Sequence, residues 1–463
     1  MGALQQALNQ AGVSAELKVT KSNGGVMSAE SGKSECVQMI LSGTASGVIG
    51  AAWVARQCGR PDVMSLDIGG TTADVALIVK GQPQYDTGEY IGDYQIHIPS
   101  VSVTSIGDGG GSVARVDQFG VLKVGPESAG STPGPVCYGR GGTQPTITDA
   151  FVTLGILGQA KLGYNAVDVD IAAAKAATGT LAEKLSLTAE ATAEAIINVS
   201  VSGMYAGISR LVSRFGIDPR SFSLMPFGGA GPMMACYLAR AMNMREVLVP
   251  LTPGVLSALG GLVADVKNDF VRITYYDLTP EILTALEKEC EALENKARLW
   301  LSNETDDSAK GHFTLSAEMR YKGQSFEIET RLNRSDISQG EIASIRDAFH
   351  QEHTRLYGYS DAQAQIQVVS LRLVVSHETP KPQLEPLPET VKAPFATDQI
   401  DVWMEGRYHT VPLYKREHLT SGQQFSGPAV IAQEDTTVTV LPGFDARVDA
   451  LGNLILTDIH HNV

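Results

Sequence analysis

The feature that most constrains the fold of this chain is a glycine pair between two apolar runs. The runs are Val63–Leu66 and Val75–Val79, and the residues between them read Asp-Ile-Gly-Gly-Thr-Thr-Ala-Asp, Asp67 to Asp74. β-Branched residues on both sides of a Gly-Gly pair predict two strands joined in a hairpin-like crossing. Glycines in such a loop let backbone N–H groups turn toward a phosphate with no Cβ in the way.

The side chains of this loop suit phosphate and metal chemistry. Thr71 and Thr72 add hydroxyl donors beside Gly69 and Gly70. Asp67 and Asp74 are acceptors that could hold water around Mg²⁺, which prefers to keep part of its hydration shell. We predict Asp67 and Asp74 as catalytic residues and Asp67 as the metal residue. Loops between two strands hold phosphates in ATPases of the actin, hexokinase and heat-shock chaperone class, whereas the alternative is a plain β-turn.

A second glycine turn lies later in the chain, at Gly228-Gly229-Ala230-Gly231-Pro232. A strand is predicted before it, over 221–227, then a helix to about residue 244 and a returning strand over 247–249, which together form a βαβ unit. Pro232 fits a helix start. Because a helix N-terminus offers free N–H groups, we predict that Gly228, Gly229 and Gly231 approach a nucleoside. Close strand–helix packing explains the same glycines equally well.

Glycine is also dense between Gly107 and Gly142, with 11 glycines in 36 residues. Such density indicates backbone that approaches a ligand closely, or else a long irregular loop. Gly109 and Gly110 are therefore candidate cofactor contacts. Arg140 either clamps a phosphate or carboxylate or ties the loop down. Cys137 has no identifiable histidine partner and is interpreted as mostly structural.

Charge and cysteine use exclude several classes of protein. The net charge is -15, and no Lys/Arg run marks a nucleic-acid or membrane surface. The five cysteines are widely spaced, so reduced thiols in the cytoplasm are expected. No apolar run of membrane-spanning length is evident. Gly32-Lys33-Ser34 resembles the end of a P-loop, but Met27 stands where that motif needs its first glycine.

The pattern predicts an α/β fold with four parts. Residues 1–275 form the main lobe, with long helices over 170–216 and a glycine-rich insertion at 107–150. An α+β region follows over 276–378. Five prolines over 379–397 predict an extended linker. Short strands and turns predict a small all-β C-terminal domain over 398–463.

The order of motifs resembles the hydantoinase A/5-oxoprolinase family, and most closely its ATP-hydrolysing N-methylhydantoinase A branch. The resemblance spans essentially the whole chain. The motifs are SNGG (22–25), SGTASGVIGA (42–51), LDIGGTTADVALI (66–78), IGDGGGSVARVD (106–117), VGPESAGSTPGPVCYGRGG (124–142), TITDA (146–150), FGGAGP (227–232) and TPGVLSALGG (252–261).

This resemblance implies a fold, a reaction and partners. The fold is an actin-like, RNase H-like ATPase lobe that binds ATP and Mg²⁺. The reaction is ATP-dependent opening of a small cyclic amide of the hydantoin or 5-oxoproline type, in which phosphoryl transfer activates the amide. The alternatives are a subunit of an ATP-dependent ketone carboxylase, of acetone or acetophenone type, and a non-catalytic structural subunit. A B-type hydantoinase subunit is the expected partner in a hetero-oligomer.

The chain departs from the family pattern at several places. Thr44 stands for a proline, Asp108 for an alanine, and Met234 for a histidine whose acid–base role is thereby in doubt. The family also carries an earlier DxGGT-type loop, and this chain begins well past it. We therefore expect that the opposite wall of the phosphate site comes from a separate N-terminal lobe or from a longer chain, or else that ATP use has been lost.

Overall fold

A computed structural model describes residues 1–86, 89–91, 94–96, 98–158 and 168–461. The chain forms two compact units, each made of segments that are distant in sequence. Unit 1 contains Met1–Ser42, Thr87–Ser100 and Val263–Lys381, and unit 2 contains Gly43–Asp86, Val101–Leu262 and Pro382–Val463.

The helices in chain order are α1 Gly2–Gln10, α2 Ala29–Ser34, α3 Ser42–Gln57, α4 Ile147–Thr153, α5 Ile171–Leu185, α6 Ala189–Phe215, α7 Gly231–Ala241, α8 Leu256–Val263, α9 Leu283–Glu304, α10 Arg334–Ser338 and α11 Ile342–Tyr357. The strands are β1 Lys18–Thr20, β2 Val26–Ser28, β3 Val63–Ile68, β4 Ala73–Val79, β5 Gln82–Pro83, β6 Tyr85–Asp86, β7 Glu89–Ile91, β8 Tyr94–Ile96, β9 Ser100–Val101, β10 Val103–Ile106, β11 Ser112–Val116, β12 Leu122–Ser128, β13 Ser223–Phe227, β14 Glu246–Val249, β15 Val266–Asp277, β16 His312–Tyr321, β17 Ile328–Leu332, β18 Ile366–His377, β19 Asp398–Met404, β20 Arg407–Lys415, β21 Gln424–Ser426, β22 Ala429–Ala432, β23 Thr437–Val440, β24 Phe444–Val448 and β25 Leu454–Asp458.

Unit 2 is built on a nine-stranded mixed sheet of order β10-β4-β3-β13-β14-β25-β24-β21, with β5 paired to β4. The predicted hairpin is β3–β4, and the predicted βαβ unit is β13–α7–β14; both predictions are confirmed. Strand β13 runs parallel to β3, with Phe227 beside Asp67. The two predicted glycine turns therefore lie next to each other at the carboxyl ends of adjacent parallel strands, where open α/β sheets bind their ligands.

Two long helices, α5 and α6, lie within the predicted range 170–216, and α6 packs on β10 at the edge of this sheet. Thr188 caps α6 by accepting from the N–H of Ala191, and Gly216 ends the helix in a left-handed conformation, as its sequence predicts. An apolar stretch of α6 has a mean hydropathy of 1.3, which by length and composition would allow it to cross a membrane. Half of that stretch is buried in unit 2, where α6 packs against α4, α5 and α7, so the core accounts for its composition.

Unit 1 consists of a six-stranded sheet of order β1-β2-β15-β18-β16-β17. Helix α9 packs on β15 and β18, and α11 packs on β17. The edge-to-face contact of Phe270 with Trp300 and the buried Phe349 mark this core. The loop Ser22–Gly25 joins the two short strands β1 and β2 of this sheet.

The compact units correct the predicted domain boundaries. The predicted lobe 1–275 is divided, because residues 1–42 complete the sheet of unit 1 while the chain enters that sheet again from residue 263. The predicted C-terminal domain 398–463 is indeed mostly strands, but it is not separate. Strand β25 pairs with β14 and extends the main sheet through β24 and β21, while β19, β20, β22 and β23 form a second sheet in unit 2.

The predicted linker 379–397 is extended, but it is held along most of its length rather than free. The N–H of Leu387 donates to the carbonyl of Ala450, and that of Thr390 donates to the carbonyl of Ser421. Its prolines suit this extended course, and the hydrogen bonds fix it to unit 2.

Candidate functional site

The turn between β3 and β4 is tight and exposed. The N–H of Gly69 donates to the carbonyl of Thr72 at 3.1 Å and closes the turn. Gly69, Gly70 and Thr71 are exposed, while Ile68 and Ala73 on either side are buried. Within the described part of the chain, no hydrogen bond engages the N–H of Gly70 or Thr71. The turn thus presents backbone donors to solvent from a rigid base, which is the arrangement that anion sites use.

Two carboxylates stand at the base of the turn. Asp67 and Asp74 are direct partners in the antiparallel register, so their side chains share one face of the hairpin. Ser105 on β10 donates its hydroxyl to Asp74 at 2.6 Å. Burial raises the pKa of Asp67 to about 6, and the negative charge of Asp74 adds to this effect. A cation at this face would lower the pKa of Asp67 again, because a nearby positive charge favours the ionised carboxylates.

The glycine-rich segment after β10 supports the turn from below. The N–H groups of Gly110 and Gly111 donate to the carbonyls of Gly69 and Gly70, at 2.9 and 2.7 Å. A Cβ at Gly109 would lie 2.5 Å from the backbone of Thr71. The N–H of Gly110 is thus used within the protein, and the contact of Gly109 and Gly110 with the cofactor stays a prediction. Both glycines permit two backbone segments to pack together.

The glycines of the turn itself behave differently. A Cβ added at Gly69 or Gly70 would meet nothing within 4 Å, and neither residue is in the left-handed region. The fold of the described residues thus gives no reason for glycine at these two positions, although glycine carries an entropic cost. Close approach of a ligand to the turn would give such a reason.

The second glycine turn borders the first. The N–H of Ala230 donates to the carbonyl of Ile68 at 3.0 Å, and a Cβ at Gly228 would collide with the carboxylate of Asp67. Gly228 has a φ of 75° and donates its N–H to the carbonyl of Pro253. Gly228 thus has a packing role, and its direct contact with a nucleoside stays a prediction. Gly229 is exposed and open, while Gly231 packs closely on the carbonyl of Leu66.

Asp149 anchors the rest of the glycine-rich segment, a role that sequence reasoning missed. Its carboxylate accepts from the N–H groups of Val136, Cys137 and Thr146 at 2.7–3.1 Å. With the hydroxyl of Thr146 it completes the capping box of α4. The Thr-x-x-Asp spacing before an apolar run was the available signal.

Thr148 links this anchor to the phosphate turn. Its hydroxyl donates to the carbonyl of Gly110 at 2.8 Å, and its N–H donates to the same oxygen. Cys137 is fully buried, and burial with the nearby charge of Asp149 raises the pKa of its thiol, so it is not a reactive group. Arg140 is exposed, and within the described ranges no carboxylate pairs with it. It lies near Tyr138 rather than in the hairpin turn.

Two departures from the expected pattern have distinct surroundings. Met234 is completely buried in the core of unit 2, where no titratable group is needed for packing. Asp108 is nearly buried, and burial raises its pKa to about 6. Its carboxylate fits against α6 because residue 203 is glycine; a Cβ there would lie 2.5 Å from the Asp108 Oδ2.

These features define a class: an α/β protein with an exposed glycine hairpin and two carboxylates at the carboxyl ends of parallel strands. The profile described as Hydantoinase/oxoprolinase matches residues 1–270, and that described as Hydantoinase/oxoprolinase C-terminal domain matches residues 277–458. The chain belongs to the hydantoinase/oxoprolinase family, as its motifs predict.

Individual relatives support the same assignment. The chain is 32% identical over 454 residues to the caprolactamase subunit alpha of Pseudomonas jessenii, covering 95% of this chain and 64% of that protein. It is 27% identical over 468 residues to the acetone carboxylase beta subunit of Xanthobacter autotrophicus, covering 96% and 64%. The crystal structure of the ATP-dependent caprolactamase from Pseudomonas jessenii matches with a TM-score of 0.85 at 30% identity, over 99% of this chain and 68% of that one. The chain thus spans about two thirds of the length of these relatives.

Proposed function

We propose that this chain is part of an ATP-dependent hydrolase that opens small cyclic amides of the hydantoin or 5-oxoproline type. The observation that carries this proposal is the exposed turn at Gly69 and Gly70, where glycine has no packing role and unengaged N–H groups face solvent. Membership of the hydantoinase/oxoprolinase family and the similarity to caprolactamase support the choice of a cyclic amide as substrate.

The residues present fit the phosphates of ATP with Mg²⁺. The N–H groups of Gly70 and Thr71 and the hydroxyls of Thr71 and Thr72 are donors for phosphate oxygens. Mg²⁺ usually takes one or two carboxylates, with waters and phosphates completing its shell. Asp67 and Asp74 provide such a pair on one face of the hairpin. Among the described residues no group of three or more His, Cys, Asp or Glu forms a metal cage, which Mg·ATP does not require.

The proposed roles of these residues are positioning and charge neutralisation. ATP supplies the phosphoryl group that activates the amide carbonyl for attack by water. The hairpin turn orients the phosphate end, since its donors are fixed by the bonds from Gly110 and Gly111. Asp67 would hold water around the metal ion when Mg²⁺ is bound. Asp74 is kept in place by Ser105. The N-terminus of α7 adds a positive dipole end beside the same turn.

Unit 2 is proposed as an actin-like, RNase H-like lobe, on the basis of the hairpin followed by the β13–α7–β14 unit. A hetero-oligomer with a B-type subunit is proposed because relatives bear the names of subunits, among them caprolactamase subunit alpha and acetone carboxylase beta subunit. Hydantoinase of the N-methylhydantoinase type remains one candidate for the exact activity, and the cytoplasm is the proposed compartment.

A ketone carboxylase subunit is the second candidate function. The identity of 27% with the acetone carboxylase beta subunit over 96% of this chain favours it. The same phosphate hairpin would serve both reactions, because each consumes ATP to activate a carbonyl compound. The two candidates therefore differ in substrate rather than in nucleotide site.

Calorimetric titration of the protein with Mg·ATP tests the nucleotide site. Asp67→Ala should abolish binding, whereas Asp398→Ala, at an exposed position at the start of β19, should leave binding unchanged. Failure of the wild-type protein to bind, both alone and with its partner subunits, would refute the proposal. If Mg·ATP binds, release of ADP stimulated by a hydantoin, a lactam or acetone distinguishes the hydrolase from the carboxylase.

A further inference from the structure

The connection between β22 and β23 also holds the second glycine turn. The hydroxyl of Thr436 donates to the carbonyl of Gly229 at 2.9 Å. The neighbouring Asp435 accepts from the N–H of Gly254 through Oδ2 at 2.8 Å. Because Gly228 donates to the carbonyl of Pro253, these three bonds join the turn, the loop after β14 and the β22–β23 connection into one ring of contacts.

Little space separates these segments. A Cβ at Gly254 would lie 2.6 Å from the Cβ of Asp435, so the carboxylate sits directly against that backbone. At Gly229 the atom nearest to an added Cβ is the carbonyl oxygen of Asp435, at 4.0 Å. A shift of Asp435 must therefore move Gly254 and, through Pro253 and Gly228, the glycine turn itself.

Polar side-chain atoms of Asp435 and of nearby residues have no hydrogen-bond partner among the described residues. Arg416 is 5% exposed, and its Nη2 donates to the carbonyl of Gly452, while Nε and Nη1 have no partner among the described residues. Asp435 Oδ1 and Gln433 Oε1 likewise have no hydrogen-bond partner among the described residues. Burial lowers the pKa of Arg416 to about 10, while the negative charges of Asp449 and Asp435 act in the opposite direction and raise it.

Buried donors and acceptors are rarely left unpaired, and a charged group is the costliest case. Arg416 offers two donors, and Asp435 and Gln433 offer one acceptor each. The negative charge of Asp435 favours the charged form of the Arg416 guanidinium, and Oδ2 of Asp435 accepts from the N–H of Gly254.

We propose that Asp435, supported by Arg416, is a positioning residue that fixes the Gly228–Gly231 turn in the conformation that accepts the nucleoside of ATP. This inference rests on the proposed function, and it assigns part of the nucleotide site to the C-terminal segment. Asp435 acts through Gly254 and Thr436 acts through Gly229, so neither residue needs to touch the nucleotide.

The first test uses the protein without nucleotide. Hydrogen exchange of the peptide containing Gly228–Ala230 should quicken by about tenfold in Asp435→Ala, because the bond that holds Gly254, next to the Pro253 acceptor of the Gly228 N–H, is lost. Asp445→Asn is the matched control, as this exposed residue of β24 bonds only to Ser426 among the described side chains. Unchanged exchange in Asp435→Ala would overturn the inference and leave the proposed function intact.

The second test is Mg·ATP titration of the same variants. Asp435→Ala should weaken binding by about tenfold, and Asp445→Asn should not change it. If Asp435→Ala fails to fold, Thr436→Val replaces it, since that variant removes only the hydroxyl bonded to Gly229. Wild-type affinity in whichever variant folds would overturn the inference. Absence of binding in the wild-type protein would overturn the proposed function and this inference together.

Discussion

Asp67 and Asp74 face each other across the last pairs of the β3–β4 hairpin, directly below the exposed Gly69–Gly70 turn. One of them, Asp74, is held by the hydroxyl of Ser105, and the other has its pKa raised to about 6 by burial and by its partner's charge. Two carboxylates on one face, without a neighbouring cation in the described structure, repel each other, and this repulsion destabilises the folded state. Binding of a divalent cation would offset that repulsion.

Binding of Mg·ATP should release protons and strengthen as pH rises through about 6. Asp67 is protonated below that pH and ionised above it, and only the ionised form attracts Mg²⁺. Below pH 6 the affinity should fall by up to about tenfold per pH unit, and above pH 7 it should level off. Calorimetry in buffers of different ionisation enthalpy counts the protons released, after subtraction of those from Mg·ATP formation alone. An affinity independent of pH between 5 and 7 would exclude Asp67 from the metal site.

Asp67→Asn should stabilise the nucleotide-free protein while it abolishes Mg·ATP binding. A carboxyl whose pKa is raised in the folded state contributes stability below its ordinary pKa and loses it as pH rises through about 6. The gain from asparagine should therefore appear above pH 6, at about 1–3 kcal/mol, and vanish near pH 4. Urea unfolding at pH 4.5 and pH 8 measures it. An equal change in the free energy of unfolding at both pH values would contradict the electrostatic explanation.

The sequence predicted the hairpin, the βαβ unit and the long helices because each depends on local pattern. Gly216 ends α6 and Pro232 begins α7 at the positions that their backbone preferences require. The family followed from motif order. The division of the chain did not follow, because pairing of β14 with β25 joins residues about 200 positions apart, and no local signal encodes such pairing.

The roles of individual glycines were equally hidden in the sequence. Gly69 and Gly109 look alike in a motif, yet one is open to solvent and the other lies against Thr71. Only the folded backbone distinguishes a glycine needed for packing from one that leaves room for a ligand. Ser105 and Asp435 escaped attention because their partners, Asp74 and Gly254, are remote in sequence. Asp149 was missed although its Thr-x-x-Asp spacing was visible.

Alanine substitutions should separate these two kinds of glycine. Gly69→Ala and Gly70→Ala should keep the melting temperature within the range of ordinary surface substitutions but weaken Mg·ATP binding, because their Cβ atoms meet only the ligand. Gly109→Ala should destabilise the protein by about 2 kcal/mol or more, because its Cβ collides with the backbone of Thr71. Gly107→Ala is the matched control, as its Cβ makes an ordinary contact of 3.4 Å with Pro126. Wild-type affinity in both turn variants would place the phosphates elsewhere.

Asp149→Asn should destabilise unit 2 and loosen the glycine-rich segment. The carboxylate of Asp149 is fully buried and accepts from three backbone N–H groups and the Thr146 hydroxyl. Asparagine keeps the volume but replaces one acceptor oxygen with a donor that faces other donors, which should cost about 2–4 kcal/mol. Chemical unfolding measures the loss, with Asp170→Asn at the exposed cap of α5 as the control, expected to lose no more than about 1 kcal/mol.

Because Thr148 in the same helix bonds to Gly110, and Gly110 bonds to Gly69, hydrogen exchange at Gly110 should also quicken in Asp149→Asn. A loss of stability without faster exchange at Gly110 would show that α4 is anchored independently of the phosphate turn.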